Sequence, residues 1–464
     1  MNTTSLVVYL SLGSLAFAVL QSLVTPVLPT LTRELDTTTS NAGWVLTAYL
    51  LAVSVLTPIL GRLGDLVGKR RVLIGVLAVM VVGTLLAALA PNLGVLIVAR
   101  VLQGAAGAIL PLSIGLVRDE LPPDRVSITI GFMSAIWGIG SGPGTVAAGP
   151  IVDNLSWRWL FWIPLALIVI ALLGSIFGLR DSGRRSAGRL DFAGAGILAL
   201  SLVSLVLTSS QGQAWGWVDG KTLGLLALGV VTMLGFVLFE RRRRAPLINM
   251  GLMRRRGVWA TDLVALVLGF AMFGTFLLVP IILLLPEATG YGFGRSVTAA
   301  GLFLLPTVMM LVLFPPLAGA LVRRSGAKPP MVLGTSLVAV GFVVPAIAHG
   351  ALWQLLVSGV IVGVGLGIAF TAVSNAIIAQ VPAAETGESI GVNSVARTIG
   401  GSIGTAVLAA LLTSQTTALE LPTDRSFTMA FWLCAGVAGL AVPAALALPG
   451  AGARRDAVPR SSKR

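Results

Sequence analysis

"GRLGDLVGKRRV", residues 61–72, sets one aspartate and four basic residues between two long apolar runs, 42–62 and 72–90. A helix needs roughly 20 apolar residues to cross about 30 Å of hydrocarbon. The stretch therefore reads as a turn at a membrane surface, with a spanning helix on either side. The pattern continues along the chain, which has fourteen such runs: six between residues 6 and 179, two over 191–240, and six between 258 and 448. Composition agrees. Of 464 residues 56% are hydrophobic and 11% charged, more apolar surface than one or two soluble cores can bury. A β-barrel would alternate polar and apolar positions, whereas "VLIGVLAVMVVGTLLAALA" (72–90) is apolar on every face. The 55 glycines and 24 prolines do not oppose helices, because lipid offers the backbone no other hydrogen-bond partner. "AFA" at 16–18 suggests a cleaved leader, but no basic segment precedes it and the apolar run continues to Leu31; it is read as a retained first helix.

The formal charge of +14 could indicate nucleic acid. The basic residues are instead scattered over several short loops, and with both termini inside only Arg33, Arg158, Lys221, Arg295 and Arg425 fall outside. Arg100 and Arg397 lie within spans, and the rest face the cytoplasm, as the positive-inside rule requires. "ERRRR" (240–244) and "RRR" (254–256) read as topology and lipid-headgroup anchors. Most tryptophans, Trp44 and Trp353 among them, fall near span ends, where amphipathic rings settle. With Cys434 and His349 each alone, there is no disulfide framework and no cysteine-based metal site, and no histidine metal cluster, Ser/His/Asp triad or histidine proton relay is expected. No GxxxxGK[ST] phosphate loop appears. The chain is expected to be no enzyme and to use no cofactor or metal.

The quoted stretch also repeats. A shift of 258 brings Pro58 onto Pro316, Gly61 onto Gly319, Gly68 onto Gly326 and Arg70 onto Lys328; a shift of 260 brings Gly131 onto Gly391, Gly140 onto Gly400 and Gly144 onto Gly404. The expected fold is thus all-α and integral to the membrane: fourteen transmembrane helices as two pseudo-symmetric six-helix bundles, 1–180 and 251–450, with two inserted helices in 181–250 and a basic cytoplasmic tail, 451–464. Parallel halves of this kind are one architecture of secondary transporters, with the substrate between them near mid-membrane.

Within the spans, a few side chains can carry chemistry. Arg100 sits about 10 Å into helix 4 by helical rise, where a cation costs at least a few kcal/mol. It faces either a wet cavity or the carbonyls of another helix. Gln21, Tyr49, Gln103, Trp137, Asn375, Asn393 and Arg397 are candidates for a substrate cavity. Arg100, Asp262 and Glu287 are the candidates for proton coupling, Arg100 as a charge that responds to a nearby protonation event and the two acids as proton acceptors. In helix 5, Gly138, Gly142, Pro143, Gly144 and Gly149 make a small-residue, kinked segment suited to a hinge or to close packing.

With these residues the chain resembles the major facilitator superfamily, specifically its fourteen-helix drug:proton antiporter branch. "GRLGDLVGKRR" is similar to that superfamily's loop 2–3 signature, carried here by Gly61, Arg62, Asp65, Gly68, Arg70 and Arg71. "RVLQGAAGA" (100–108) is similar to the helix 4 signature of proton-coupled members. The resemblance implies that Asp65 caps a neighbouring helix and pairs with an arginine, holding the cytoplasmic side shut. The sequence departs from the pattern twice. Pro143 is displaced within the helix 5 signature, and Gln21 stands in "LQSLVTPVLP" (20–29) where a helix 1 acid is common. What the resemblance implies is efflux of small amphipathic or lipophilic compounds by proton antiport and alternating access. The expected partners are a small-molecule substrate, protons and membrane lipid, without nucleic acid. The protein is expected as a monomer in a bacterial-type plasma (inner) membrane with both termini cytoplasmic. A lipid or lipid-linked-precursor flippase, a proton-coupled solute symporter and a non-transporting receptor remain the alternatives.

Overall fold

The computed structural model describes residues 3–24, 27–179, 183, 185–186, 188–216, 219–243, 246–414 and 421–448. Among the described residues the chain is mostly helical, and thirteen helices are long and apolar enough to cross a membrane. It is a multi-pass membrane protein.

Helices α1 (Thr3–Leu23) and α2 (Leu28–Glu34) divide the first apolar run, which had been expected as one span. Proline follows at the second position of α2, where its missing N–H is not needed. Helix α3 (Thr39–Val67) starts on Thr38, whose hydroxyl accepts from the Asn41 amide, and α4 (Lys69–Ala88) follows after a single residue. That residue is Gly68, with φ of 119°, a conformation that side chains disfavour. The expected charged loop is therefore no loop: Asp65 lies in the last turn of α3 and Lys69 opens α4.

The fourth span has three parts: α5 (Leu93–Gln103), a 3₁₀ segment Gly104–Ala108, and α6 (Ile109–Glu120). The tightened segment "GAAGA" lies directly on α3, and a Cβ at Gly104 would meet Ala52 at 2.2 Å. Helix α7 (Pro123–Asn154) is continuous over 32 residues. At 135, 137–147, 149 and 153 only its backbone is described, so the side chains of Trp137 and of the hinge positions Gly138, Gly142, Pro143, Gly144 and Gly149 lie outside the described residues. Helix α8 (Trp159–Gly178) follows. The hairpin α9 (Phe192–Trp215) and α10 (Gly220–Glu240) and the short α11 (Met250–Met253) come next. The remainder is α12 (Arg256–Leu284), α13 (Val297–Ser325), α14 (Lys328–Ile347), α15 (Leu352–Ile378), α16 (Thr386–Ser414) and α17 (Asp424–Leu446). Residues 449–464, including the expected basic tail, lie outside the described residues.

Helices α1 and α3–α8 pack among themselves, as do α12–α17. The two groups meet where α3 crosses α16 and α7 crosses α13, while α9 lies against both α3 and α16. These crossings are backbone on backbone. A Cβ at Gly61 would stand 2.6 Å from the Gly387 carbonyl oxygen, and one at Gly319 would stand 2.5 Å from that of Ser127. One at Gly391 would meet the Pro58 Cα at 3.1 Å, and one at Gly131 the Pro315 carbonyl oxygen at 2.3 Å. Small residues here let helices approach without side chains between them.

Candidate functional site

The α3–α16 crossing ends in a buried charged cluster. Helix α16 begins inside the protein, so its first amides need acceptors. Asp65 supplies them from the other group of helices: Oδ1 accepts from the Gly387 amide (3.2 Å) and Oδ2 from the Glu388 amide (2.8 Å). A carboxylate at a helix N-terminus is also favoured by the helix dipole. The chain just before α16 is held in the complementary sense. Arg118 at the end of α6 donates to the Val381 and Pro382 carbonyls and to the Thr386 hydroxyl. Lys69 Nζ donates to the Ala383 carbonyl (3.3 Å) and the Ser186 hydroxyl to that of Ala384 (2.8 Å). Four successive carbonyls thus accept from donors across the crossing, and the amides that follow donate to an anion.

Ion pairs complete the cluster. Arg62 reaches Glu388 at 3.1 Å, and Lys69 reaches Asp119 at 2.9 Å and Asp65 at 3.5 Å. Asp65 and Glu388 are both fully buried. The expected arginine partner of Asp65 is therefore replaced by Lys69, and Arg62 serves Glu388. Glu388 also accepts from the Asn249 amide at 2.6 Å, and the Ser186 amide donates to the Asp65 carbonyl at 2.7 Å. Both linkers of the α9–α10 hairpin touch the cluster in this way. Arg70 points elsewhere, donating to the Ile176 carbonyl at the end of α8; Arg71 is exposed.

Beyond the crossing lies a narrow cavity of about 30 Å³, walled by α1, α3 and the fourth span on one side and by α12 and α16 on the other. By helical rise, Thr57 in its wall is about 12 Å from Asp65 and Arg397 about 14 Å from Glu388. Gln21 and Arg397 line it, together with Phe17, Met272, Phe273 and Thr398. Arg397 also stands over the Phe370 ring at 5.3 Å.

Among the described residues, Tyr49, Gln103, Asn375 and Asn393 do not line this cavity, and neither does Arg100. Arg100 is fully buried; it donates to the carbonyls of Leu20 in α1 and Val45 in α3, and to Gln103 Oε1 at 2.8 Å. Its guanidinium covers Tyr49 at 4.0 Å from the ring centroid, which leaves that face unavailable for stacking. Gln103 passes its amide on to Thr84. Asn375 bonds to its own helix at the Thr371 carbonyl. Asn393 leaves the cavity to span α16 and α12, donating to the Thr261 carbonyl (3.2 Å) and to Asp262 Oδ1 (2.9 Å). Asp262 thus has a neutral partner among the described residues in place of the nearby arginines. Glu287 is exposed on a 3₁₀ turn, Glu287–Thr289, beyond the end of α12.

Glu388, Lys69, Arg118, Ser186 and Asn249 were not singled out from the sequence. Glu388 had a signal of the kind that marked Asp65: an acidic residue at a span end, where acids contribute little to orientation. Arg118, Ser186 and Asn249 act largely through or upon backbone atoms, which no residue pattern displays, and Lys69 pairs with Asp119 fifty residues away.

The superfamily model described as Major Facilitator Superfamily matches residues 10–312 and again 263–463. The chain belongs to the Major Facilitator Superfamily. Among relatives within it, an uncharacterized MFS-type transporter of Mycobacterium tuberculosis is 33% identical over 86% of this chain, which covers 58% of that protein's length. The tetracenomycin C resistance and export protein of Streptomyces glaucescens is 28% identical over 87% of this chain and 75% of its own. The multidrug resistance protein Stp of M. tuberculosis is 30% identical over 91% and 78%. The chain therefore spans little more than half of the first of these relatives. Among solved structures, the human organic anion transporter MFSD10 superposes with a TM-score of 0.69 at 15% identity, covering 96% of this chain and all of that one. The proton:xylose symporter XylE does so at 0.66 and 13%, covering 95% and 94%. These two likenesses concern the superfamily fold.

Proposed function

We propose that the protein is a secondary-active exporter of small amphipathic or lipophilic compounds, driven by proton antiport through alternating access. The observation that carries this reading is the buried charged cluster, which ties the two groups of helices together at one end of a cavity built from both. Relatives named for antibiotic resistance and multidrug transport support the substrate class. In this reading the clustered end is the cytoplasmic side, closed as in an outward-facing state, and both termini lie on it, in a bacterial inner membrane. The protein works as a monomer.

The pseudo-symmetric layout has its own support. Gly61 on Gly387 becomes Gly319 on Ser127 when each partner is moved by its sequence shift, and Pro58 on Gly391 becomes Pro316 beside Gly131. The superfamily model's second match, from residue 263, points the same way. With α7 added to the thirteen described spans, the count is fourteen.

Asp262, bonded to Asn393 between α12 and α16, is the proposed proton acceptor; Gln21 in the cavity wall cannot titrate, and Glu287 is a solvated charge. The test uses everted vesicles. Asp262→Asn, whose amide can keep the Asn393 contact, should lose proton-driven dye export by at least tenfold while retaining exchange of substrate down its own gradient, on the scale of a lost general acid or base of about 10²-fold. Undiminished proton-driven export in this variant overturns the assignment of Asp262. Proton uptake in the direction of substrate entry would indicate a symporter.

A further inference from the structure

The inserted hairpin builds a second, smaller core. Ala195, Leu198, Leu202, Phe236, Leu247 and Ile248 pack with Val395 of α16, apart from the main cluster of the protein. Beside this core runs a groove of about 270 Å³ between the hairpin and the α3–α16 crossing, walled by Leu198, Leu202, Met233, Phe236, Met253 and Val395. All its lining side chains are apolar. An apolar cavity of about 150 Å³ already stays dry and takes up a hydrocarbon, and this one lies among membrane-spanning helices.

Past Glu240, which is buried and accepts from the Ile248 amide at 3.3 Å, the walls lead to arginines. Phe236 and Val237 of α10 are followed by Arg241, Arg242 and Arg243; Met250 and Met253 of α11 are followed by Arg254, Arg255 and Arg256. Two of these are engaged, Arg243 with Asp191 at 3.3 Å and Arg255 with the Gln380 carbonyl at 3.0 Å. Arg241, Arg242, Arg254 and Arg256 are exposed and make no ion pair among the described residues. A hydrocarbon slot that ends at four uncommitted cations fits one chemistry, an acyl chain attached to an anionic headgroup.

We propose that this groove binds an anionic phospholipid, one acyl chain lying between the hairpin and the α3–α16 crossing and the headgroup held by Arg241, Arg242, Arg254 and Arg256. Pro58 and Val392 also line the groove, so the bound chain touches both sides of the crossing at once. A zwitterionic lipid, whose ammonium offsets its phosphate, would gain less from the four cations, and a neutral transported compound would gain nothing from their charge.

The test reads lipid retention on the purified full-length chain by native mass spectrometry, with dioleoylphosphatidylglycerol or dioleoylphosphatidylethanolamine added. The wild-type protein should retain the glycerol lipid in preference, by about fivefold for each arginine that reaches the headgroup. Replacing the four exposed arginines with glutamine should remove the preference without affecting folding. Met233→Trp, which fills the groove, should lower retention of both lipids about tenfold, whereas Met233→Leu should not. Equal retention of the two lipids by the wild type overturns the proposal, as does unchanged retention in monodisperse Met233→Trp protein. So does displacement of the lipid by a lipophilic dye in the wild type but not in Met233→Trp, which would make the groove a compound site. None of these readouts depends on transport.

Discussion

Asp65 and Arg100 show how a charge earns a place in an apolar chain by serving backbone. Asp65 accepts from two helix-start amides and Arg100 donates to carbonyls of two helices. Breaking a buried charge pair from one side costs about 3–5 kcal/mol; because Lys69 keeps Asp119, Asp65→Asn should disfavour closure by about 2 kcal/mol, a factor of roughly 30. Spin labels on the ends of α6 and α15 should show the longer distance gaining population, at normal expression; an unchanged distribution would dismiss the latch. Arg100→Lys should act on folding. Lysine lacks the planar fork and loses about 1.5–3 kcal/mol of charged hydrogen bonding, so the thermal midpoint should fall and transport should fall only with the amount of folded protein. Transport lost at an unchanged midpoint would restore a cavity role. Both residues stood out in the sequence, since isolated charges in apolar runs are visible there. Their main-chain partners did not, lying dozens to hundreds of residues away.

At the scale of the elements, glycine sets how closely α3 and α16 approach. Gly61→Ala would place a methyl 2.6 Å from the Gly387 carbonyl oxygen, whereas a methyl at Gly43 in the same helix meets nothing within 4 Å. Overpacking of this kind costs about 1–3 kcal/mol. A cysteine replacing Ser394 in the cavity wall should therefore react faster with a membrane-impermeant maleimide from the clustered end in Gly61→Ala, and at the parent rate in Gly43→Ala. Equal rates in both would mean that the crossing tolerates the methyl. The spacing of these glycines was legible as a repeat, 258 residues apart at Gly61 and Gly319. The contacts themselves were not, because a repeat relates equivalent positions and the crossings join non-equivalent ones, Gly61 to Gly387 and Gly319 to Ser127. The division of the fourth span into two α-helices around a 3₁₀ segment was also hidden; close packing of "GAAGA" on α3 accompanies it, and apolarity alone reads the run as uniform.

Over the whole molecule, the hairpin α9–α10 is joined to the crossing through both of its linkers, by Ser186 to Asp65 and Ala384 and by Asn249 to Glu388. Its insertion adds polar ties as well as apolar surface. One neutral hydrogen bond contributes about 1 kcal/mol, so Ser186→Ala should shift the closed population in the same direction as Asp65→Asn but by only about fivefold. The same spin-label pair measures it, and a shift as large as that of Asp65→Asn would show that the linker does more than add a bond.

Residue order alone determined that this chain lives in a membrane as helices, because bilayer thickness imposes a run length and water immiscibility imposes composition, and both are local properties. It also located the conspicuous charges and the repeat. Only the tertiary structure decided which charges meet: that Asp65 caps α16, that Lys69 takes the place expected for an arginine, that Asn393 turns to Asp262, and that Tyr49 lies beneath Arg100. Apart from Lys69 and Asp65, four positions apart across the Gly68 turn, those pairings join residues dozens to hundreds of positions apart, and all depend on helix rotation and depth, which hydropathy cannot encode when every face of a helix is apolar.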